Sequence, residues 1–289
     1  MNPDFRRGLS NAFMTDLRKG TTAPMLDACR AKGLDVRLRA EYLNAYSAGR
    51  AVMKLMKQRS GTTLQVHHKY LHAQAFKAAP RRTQGDYVLL SVTPALAAQF
   101  AGELDRIIEA SHKHRHVEEL SEERLLLDNA GGGPFQAIDR QVGVPGTRSY
   151  VDVVGVLEGR RPSLVLVELK RDLDNRIQEV AVQVARYLEI FSPEGKGLRP
   201  DIAKSLRLVA SQLKELGFAA PAAAAFEPGM PVLGLVALVR YNPKSELLGR
   251  AHASAATLQQ PVWLWSALDE TRLQIPAQAQ WTRMGNAPP

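Results

Sequence analysis

The sequence predicts an α/β protein: a mixed central sheet flanked by helices, preceded by a smaller α+β module. Three observations carry this. Ser163–Lys170 (SLVLVELK) is apolar on both faces until Glu168, and Val232–Tyr241 is again a run apolar on both faces, as in central strands buried inside a sheet. Between them, Asp172–Phe191 repeats at helical spacing, with Ile177, Val180, Val184, Tyr187, Leu188 and Phe191 on one face to cover that sheet. Before about residue 90 the texture differs, with short helical patterns followed by period-two runs. The expected division is therefore residues 1–90, a helix plus β-meander module, and residues 91–289, the α/β domain.

In chain order, Asp4–Leu17 is expected to be a helix, with Phe5, Leu9, Phe13 and Leu17 on one side. Gly20-Thr21-Thr22 ends it, and Pro24 opens a second helix to about Ala31. From Leu34 the period is two. Val36, Leu38, Ala40, Tyr42, Asn44 and Tyr46 share one face, and Arg37, Arg39 and Glu41 the other. Ala48-Gly49-Arg50 is a hairpin turn, Ala51–Lys57 the return strand and Thr63–Lys69 a third. The basic residues Arg37, Arg39, Lys54, Lys57, Arg59 and Lys69 point outward in this reading, as a solvated sheet face or as phosphate contacts. Pro80–Gly85 is expected to be a joint.

Pro94–Ala110 carries a clear apolar stripe (Leu96, Phe100, Leu104, Ile107, Ile108) and is a helix. His112 and His116 would share a helical face at metal-ligand spacing, but no further ligand stands nearby, and the segment reads as a solvated basic elbow. Val117–Asn129 is a helix with acids in its first turns, which complement the helix dipole; Glu123 is retained as a candidate site carboxylate. The Gly131-Gly132-Gly133 run lacks the lysine and hydroxyl residue of a phosphate-binding loop and reads as a helix end. Phe135–Val142 and Arg148–Leu157 form a hairpin about Pro145-Gly146. Beyond Phe191, Pro200–Leu216 is a helix, Ala219–Ala225 a loop or short helix, and Val262–Ser266 a last strand.

Lys and Arg number 38 against 29 Asp and Glu, a formal net charge of +9, which suits a polyanionic partner: nucleic acid first, an anionic membrane surface second. The single cysteine, Cys29, excludes an internal disulfide and favours a reducing compartment. No apolar run approaches the roughly 20 residues a bilayer demands, and the first residues lack a signal-peptide core, so a cytoplasmic protein with no membrane role is expected.

The candidate chemistry sits at the strand ends. Glu168 and Lys170, two apart on a strand, share a face, and charge at the end of an apolar strand is costly unless paired or metal-bound. The hairpin brings Asp152 onto an adjacent strand. Two carboxylates with little nitrogen or sulfur suit Mg²⁺ or Mn²⁺, with the Leu169 carbonyl as a further oxygen. Lys170 would orient a water or stabilise charge on a phosphate. Gln183 and Tyr187, four apart on the next helix, would hydrogen-bond a nucleotide or phosphate, and Arg171, Arg176 and Arg186 supply cations around them.

This series of helix, hairpin with Asp152, strand with Glu168-Leu169-Lys170 and helix with Gln183-x-x-x-Tyr187 resembles the PD-(D/E)XK nuclease superfamily. The glutamine–tyrosine feature is similar to the branch of RecB-type and lambda-exonuclease-type enzymes. The resemblance covers Val117 to Tyr241, less than half the chain; Val151 stands where the namesake motif often has proline. The residues before it are similar, more loosely, to N-terminal extensions of bacterial members. The resemblance implies a restriction-endonuclease-like core (αβββαβ). It also implies Asp152 and Glu168 as metal ligands, Lys170 as catalytic lysine, Gln183 and Tyr187 as an auxiliary pair, and Glu123, or Glu119 one turn earlier, as the helix acid. The activity implied is Mg²⁺-dependent hydrolysis of phosphodiester bonds, of DNA first; the alternative is a non-catalytic nucleic-acid-binding or assembly protein on the same fold. Self-association or a partner protein is left open, as are repair, recombination and phage defence as settings.

Overall fold

The computed structural model describes residues 5–72, 76, 81–114, 117–171, 175–242 and 244–285. Among these residues lie seven α-helices and two six-stranded sheets, one antiparallel and one mixed. The chain divides into two compact units: residues 6–123 with 211–218, and residue 5 with 124–210 and 219–289. The expected boundary near residue 90 is thus displaced to Glu123/Arg124, and the end of a later helix joins the N-terminal unit.

The N-terminal unit begins with α1 (Asn11–Lys19) and α2 (Ala23–Ala31). Helix α1 starts later than the apolar spacing implies: Gly8 takes a left-handed φ of 97°, and the Ser10 hydroxyl accepts from the Phe13 amide at 3.4 Å. Strands β1 (Asp35–Leu38), β2 (Tyr42–Ser47), β3 (Arg50–Gln58), β4 (Gly61–His67), β5 (Arg81–Gln84) and β6 (Tyr87–Ser91) form a sheet in the order β1-β2-β3-β4-β6-β5. Helices α3 (Pro94–His112), capped by Thr93, and α4 (Val117–Asp128) follow.

Three expectations change here. The period-two run from Leu34 is two strands, because Glu41 adopts φ 59° and the chain turns, pairing Leu38 with Leu43 and Val36 with Ala45. The turn reverses the phase: Leu43 and Ala45 are buried beside Val36 and Leu38, while Tyr42, Asn44 and Tyr46 occupy the opposite face. Arg37 and Arg39 are buried, not outward-facing; Arg37 Nε lies 2.5 Å from Asp35 Oδ1, two residues back on the same face. The described part of the expected joint, from Arg81, is strand β5, closed onto β6 by Gly85 at φ 55°. Pro80 lies outside the described residues.

The second unit carries β7 (Phe135–Gly143), β8 (Tyr150–Leu157), β9 (Ser163–Arg171), α5 (Val180–Phe191), α6 (Pro200–Glu215), β10 (Val232–Val239), α7 (Glu246–Ala255), β11 (Val262–Ala267) and β12 (Thr282–Arg283). Its sheet runs β12-β11-β10-β9-β8-β7; β9, β10 and β11 are parallel, and the β7–β8–β9 meander is antiparallel. Both faces are covered, which is why β9 and β10 are apolar throughout. Ile177, Val180 and Val184 pack with Val236, Leu238 and the α7 residues Leu248 and Ala251 on one face. Leu125, Phe135, Val165, Val167, Leu169, Ala237, Ile275 and Trp281 form the core of the other. Gly234 permits the close approach of α5 to β10: a Cβ there would run into Val184 and stand 3.1 Å from Leu188 Cδ1. Helix α7 carries no signal read from the sequence, and the expected helix start at Asp172–Asp174 falls outside the described residues; a 3₁₀ turn, Asn175–Glu179, leads into α5. Among the described residues no helix is long and apolar enough to cross a membrane.

Candidate active site

The β8–β9 ladder ends at Val153 opposite Val167. One residue further, where Asp152 and Glu168 would face each other, Asp152 Oδ2 instead accepts from the Leu169 amide at 2.8 Å. A carboxylate thus replaces a strand carbonyl as acceptor, and the hairpin opens at that point. Glu168 and Lys170 lie on the α5 side of β9, opposite Val236 and Leu238 of β10. They are 3% and 4% exposed, and Lys170 Nζ donates to Glu168 Oε1 at 2.9 Å. That burial takes both groups out of the range where an ion pair is energetically trivial.

Helix α5 completes the cluster. Gln183 Nε2 donates to the same Glu168 Oε1 at 2.8 Å and lies 2.5 Å from Tyr187 Oη. Tyr187 in turn donates to the Tyr150 carbonyl at 2.9 Å. The i, i+4 spacing sets both side chains on one helical face, and the small residue at 234 lets that face come down on the sheet. Burial first, then the charges of Glu168 and Asp152, push the Tyr187 hydroxyl up to about 12, against the Gln183 hydrogen bond; Tyr187 therefore stays protonated and acts as a donor at neutral pH. Asp152 and Gln183 are half-buried, while Tyr150 and Arg186 are exposed at the rim.

Five expected residues thus meet in one network: Asp152, Glu168, Lys170, Gln183 and Tyr187, with Leu169 contributing its amide. Arg176 and Arg186 are exposed. Arg171 is engaged with Glu270 at 2.9 Å and half-buried. The helix acids are engaged in the N-terminal unit: Glu119 with Arg50, Nε to Oε2 at 3.1 Å, and Glu123 with the Gly49 amide at the β2–β3 turn. They therefore serve as structural acceptors for that hairpin.

One member of the network was missed in the sequence. Gln141 Nε2 donates to Asp152 Oδ1 at 3.2 Å, from a backbone with φ 48°, uncommon for a residue with a Cβ. The expected turn would not have found it: a hairpin centred on Pro145-Gly146 sets Gln141 opposite Tyr150, whereas the observed register, with Val142 opposite Val151 and the Val144 amide bonded to the Ser149 carbonyl, is centred one residue later and brings Gln141 to Asp152.

The oxygen-only donor set of Asp152 and Glu168, with one carboxylate half-exposed, fits a hard divalent cation. His112 is bonded to Ser47 Oγ at 2.9 Å, and His116 lies outside the described residues. Among the described residues a different group, His67, His68 and Asp86, has ligand atoms within 4.8 Å of one another. Its hydrogen bonding disfavours a metal: His67 Nδ1 accepts from the Lys69 amide at 3.2 Å, which leaves the neutral ring's proton on Nε2. Comparison with protein-family models, curated proteins and solved structures finds no match to this chain.

Proposed function

We propose that the protein is a divalent-metal-dependent nuclease hydrolysing phosphodiester bonds of DNA, on a restriction-endonuclease-like core. The observation that carries the reading is the shared Glu168 oxygen, which accepts from both Lys170 and Gln183 beside Asp152. The order α4-β7-β8-β9-α5-β10 supports it, since it follows the αβββαβ arrangement of that core. Asp152 and Glu168, with the Leu169 carbonyl, would hold Mg²⁺ or Mn²⁺. Such an ion supplies Lewis-acid polarisation of the phosphate and a water of lowered pKa.

The chain's own groups do the rest. Lys170 presents an ammonium to the charge that builds on the phosphate, in a site dry enough for that charge to count. Gln183 fixes the Glu168 carboxylate, and Tyr187, anchored on the Tyr150 carbonyl, fixes Gln183. Gln141 and the Leu169 amide, one on each oxygen, fix the orientation of the Asp152 carboxylate. Arg176 and Arg186 contact flanking phosphates.

The test is degradation of linear and circular DNA with Mg²⁺ or Mn²⁺, with chelated controls, by wild type and Lys170→Ala. Metal-dependent cleavage that the substitution abolishes is expected. Equal activity of the two proteins refutes the assignment, and DNA binding without cleavage in either metal moves it to the non-catalytic alternative.

A further inference from the structure

The N-terminal unit holds a cavity of about 530 Å³, lined by Tyr46, Arg50, His67, Lys69, Tyr70, Tyr87, His114 and Glu119. Its size falls within the range of small-ligand sites. Its walls are the β2–β3 turn, the end of β4 with the 3₁₀ turn His68–Tyr70 after it, the start of β6, His114 just beyond α3 and Glu119 of α4. Three of the chain's seven tyrosines stand here, so ring surface is concentrated at one place in a protein with few aromatics. The rings pack on one another, His67 stacking on His68 with centroids 4.9 Å apart, and leave Tyr87 as the exposed tyrosine. His67 lies against Tyr70 with centroids 5.0 Å apart and planes at 29°, and Tyr87 meets His67 edge-on at 5.3 Å. Tyr70 faces His114 at 6.2 Å. Burial first, then neighbouring His68, holds the His67 pKa below the usual imidazole value, so the ring is neutral at pH 7.

Cations stand beside the rings. Arg50 is braced by the His114 carbonyl at 2.7 Å and by Glu119, and Lys69 is exposed. Tyr87 is 41% exposed, a large ring left at the mouth. Flat π-faces with a cation at their edge suit a planar heterocycle carrying an anion. A sugar would use the rings and leave Lys69 unused; a bare phosphate would use Lys69 and leave the rings unused.

We infer that this cleft binds a nucleotide, stacking its unpaired base on the exposed Tyr87 ring, which His67 and Tyr70 back, with its phosphate toward Lys69 and Arg50. The nucleotide is free or part of a single strand. The inference goes beyond the cleavage reading and does not depend on it.

The test uses the full chain in EDTA, so that no metal-dependent cleavage intervenes. Fluorescence anisotropy measures binding of a short labelled oligothymidylate, with unlabelled thymidine monophosphate, duplex DNA and heparin as competitors. Tyr87→Ala should weaken oligothymidylate binding by roughly five- to a hundredfold, the value of one lost base stack, and Tyr87→Phe should keep it within about twofold. Lys69→Ala should weaken it and flatten its salt dependence. Displacement by the monophosphate assigns the free nucleotide, and displacement only by the oligomer assigns the strand. Cross-linking of an iodouracil-substituted oligomer should map to Tyr70, His67 or Tyr87, which keeps the test decisive if a variant fails to fold. The inference is overturned if neither ligand binds, if the Tyr87 and Lys69 variants bind as wild type, if the losses are equal for heparin and duplex, or if the cross-link maps elsewhere.

Discussion

The buried Glu168–Lys170 pair makes a prediction that separates a functional site from a structural ion pair. Removing one member of a buried pair leaves the other desolvated and costs about 3–5 kcal/mol, whereas replacing both by groups of similar shape is near neutral. Lys170→Met removes the ammonium but keeps its length, and Glu168 then retains Gln183 beside it. For a unit of this size about 1 kcal/mol moves the midpoint by roughly 2–4 °C, so Lys170→Met should melt on the order of 6–20 °C lower. The double variant Glu168→Gln/Lys170→Met should recover most of that loss. All three tryptophans, Trp263, Trp265 and Trp281, lie in the unit that carries the pair, so tryptophan fluorescence reports its melting separately from the N-terminal unit. Magnesium adds a second axis. At ten times its dissociation constant a ligand of the native state contributes about 1.4 kcal/mol. Mg²⁺ should stabilise wild type, stabilise Lys170→Met more, because Glu168 then lacks its lysine, and leave the double variant unmoved. The reasoning is refuted if Lys170→Met melts with wild type, if the double variant melts below it, or if Mg²⁺ shifts all three alike.

Two further outcomes follow from the same geometry. Tyr187 is held protonated to about 12 while an unfolded tyrosine ionises near about 10. Its stabilisation is therefore complete below about pH 10 and lost as pH rises toward 12, because the unfolded state releases the proton first. Tyr187→Phe should remove that alkaline loss in denaturant titrations and delete the highest-pH step in the tyrosinate absorbance; an unchanged titration would refute the assignment. Gly234→Ala should cost about 1–3 kcal/mol by overpacking against Val184 and Leu188. It should also lower DNA cleavage measured well below the melting point, since Gln183 and Tyr187 ride on the displaced helix; full activity would show that α5 only covers the sheet.

Much of the candidate site was legible because its spacings are local. Period two sets Glu168 beside Lys170, and period 3.6 sets Gln183 beside Tyr187, whatever the rest of the chain does. Gln141 was not legible, because a turn centred on Pro145-Gly146 pairs it with Tyr150 and the ladder is centred one residue later. The β1–β2 turn was not: Arg39-Ala40-Glu41 contains no glycine, proline or asparagine, and the alternation passes unbroken through it, so the phase reversal at Glu41 leaves no trace. Helix α7 was missed because two of its three buried positions, Ala251 and Ala255, are alanines, which make a faint stripe. The helix acids are a different case. Acid in a first turn has a generic use, and only tertiary contacts with Arg50 and Gly49 reveal what Glu119 and Glu123 do. The nucleotide cleft was beyond reach, since its rings come from positions 46 to 114 and meet only through the sheet.

The placement of the charged pair argues for chemistry over stability. Leu164 and Leu166 lie on the same side of β9 as Glu168 and Lys170. Carrying that apolar alternation to the strand end would be neutral or stabilising by about 1–4 kcal/mol relative to an ion pair. The strand instead buries a carboxylate and an ammonium, satisfies the carboxylate from a helix glutamine, anchors that glutamine through a tyrosine, and opens the adjoining ladder around Asp152. Each step answers a polar demand created by the one before, and none is needed to close the sheet. The cluster also lies at the carboxyl end of β9, where the antiparallel meander gives way to the parallel β9–β10–β11 strands. Strand carboxyl ends at such a change of direction are where open α/β sheets leave a crevice for a ligand. A polar cluster costly to bury, kept at that strand end, is the ground for the metal and phosphate binding proposed above.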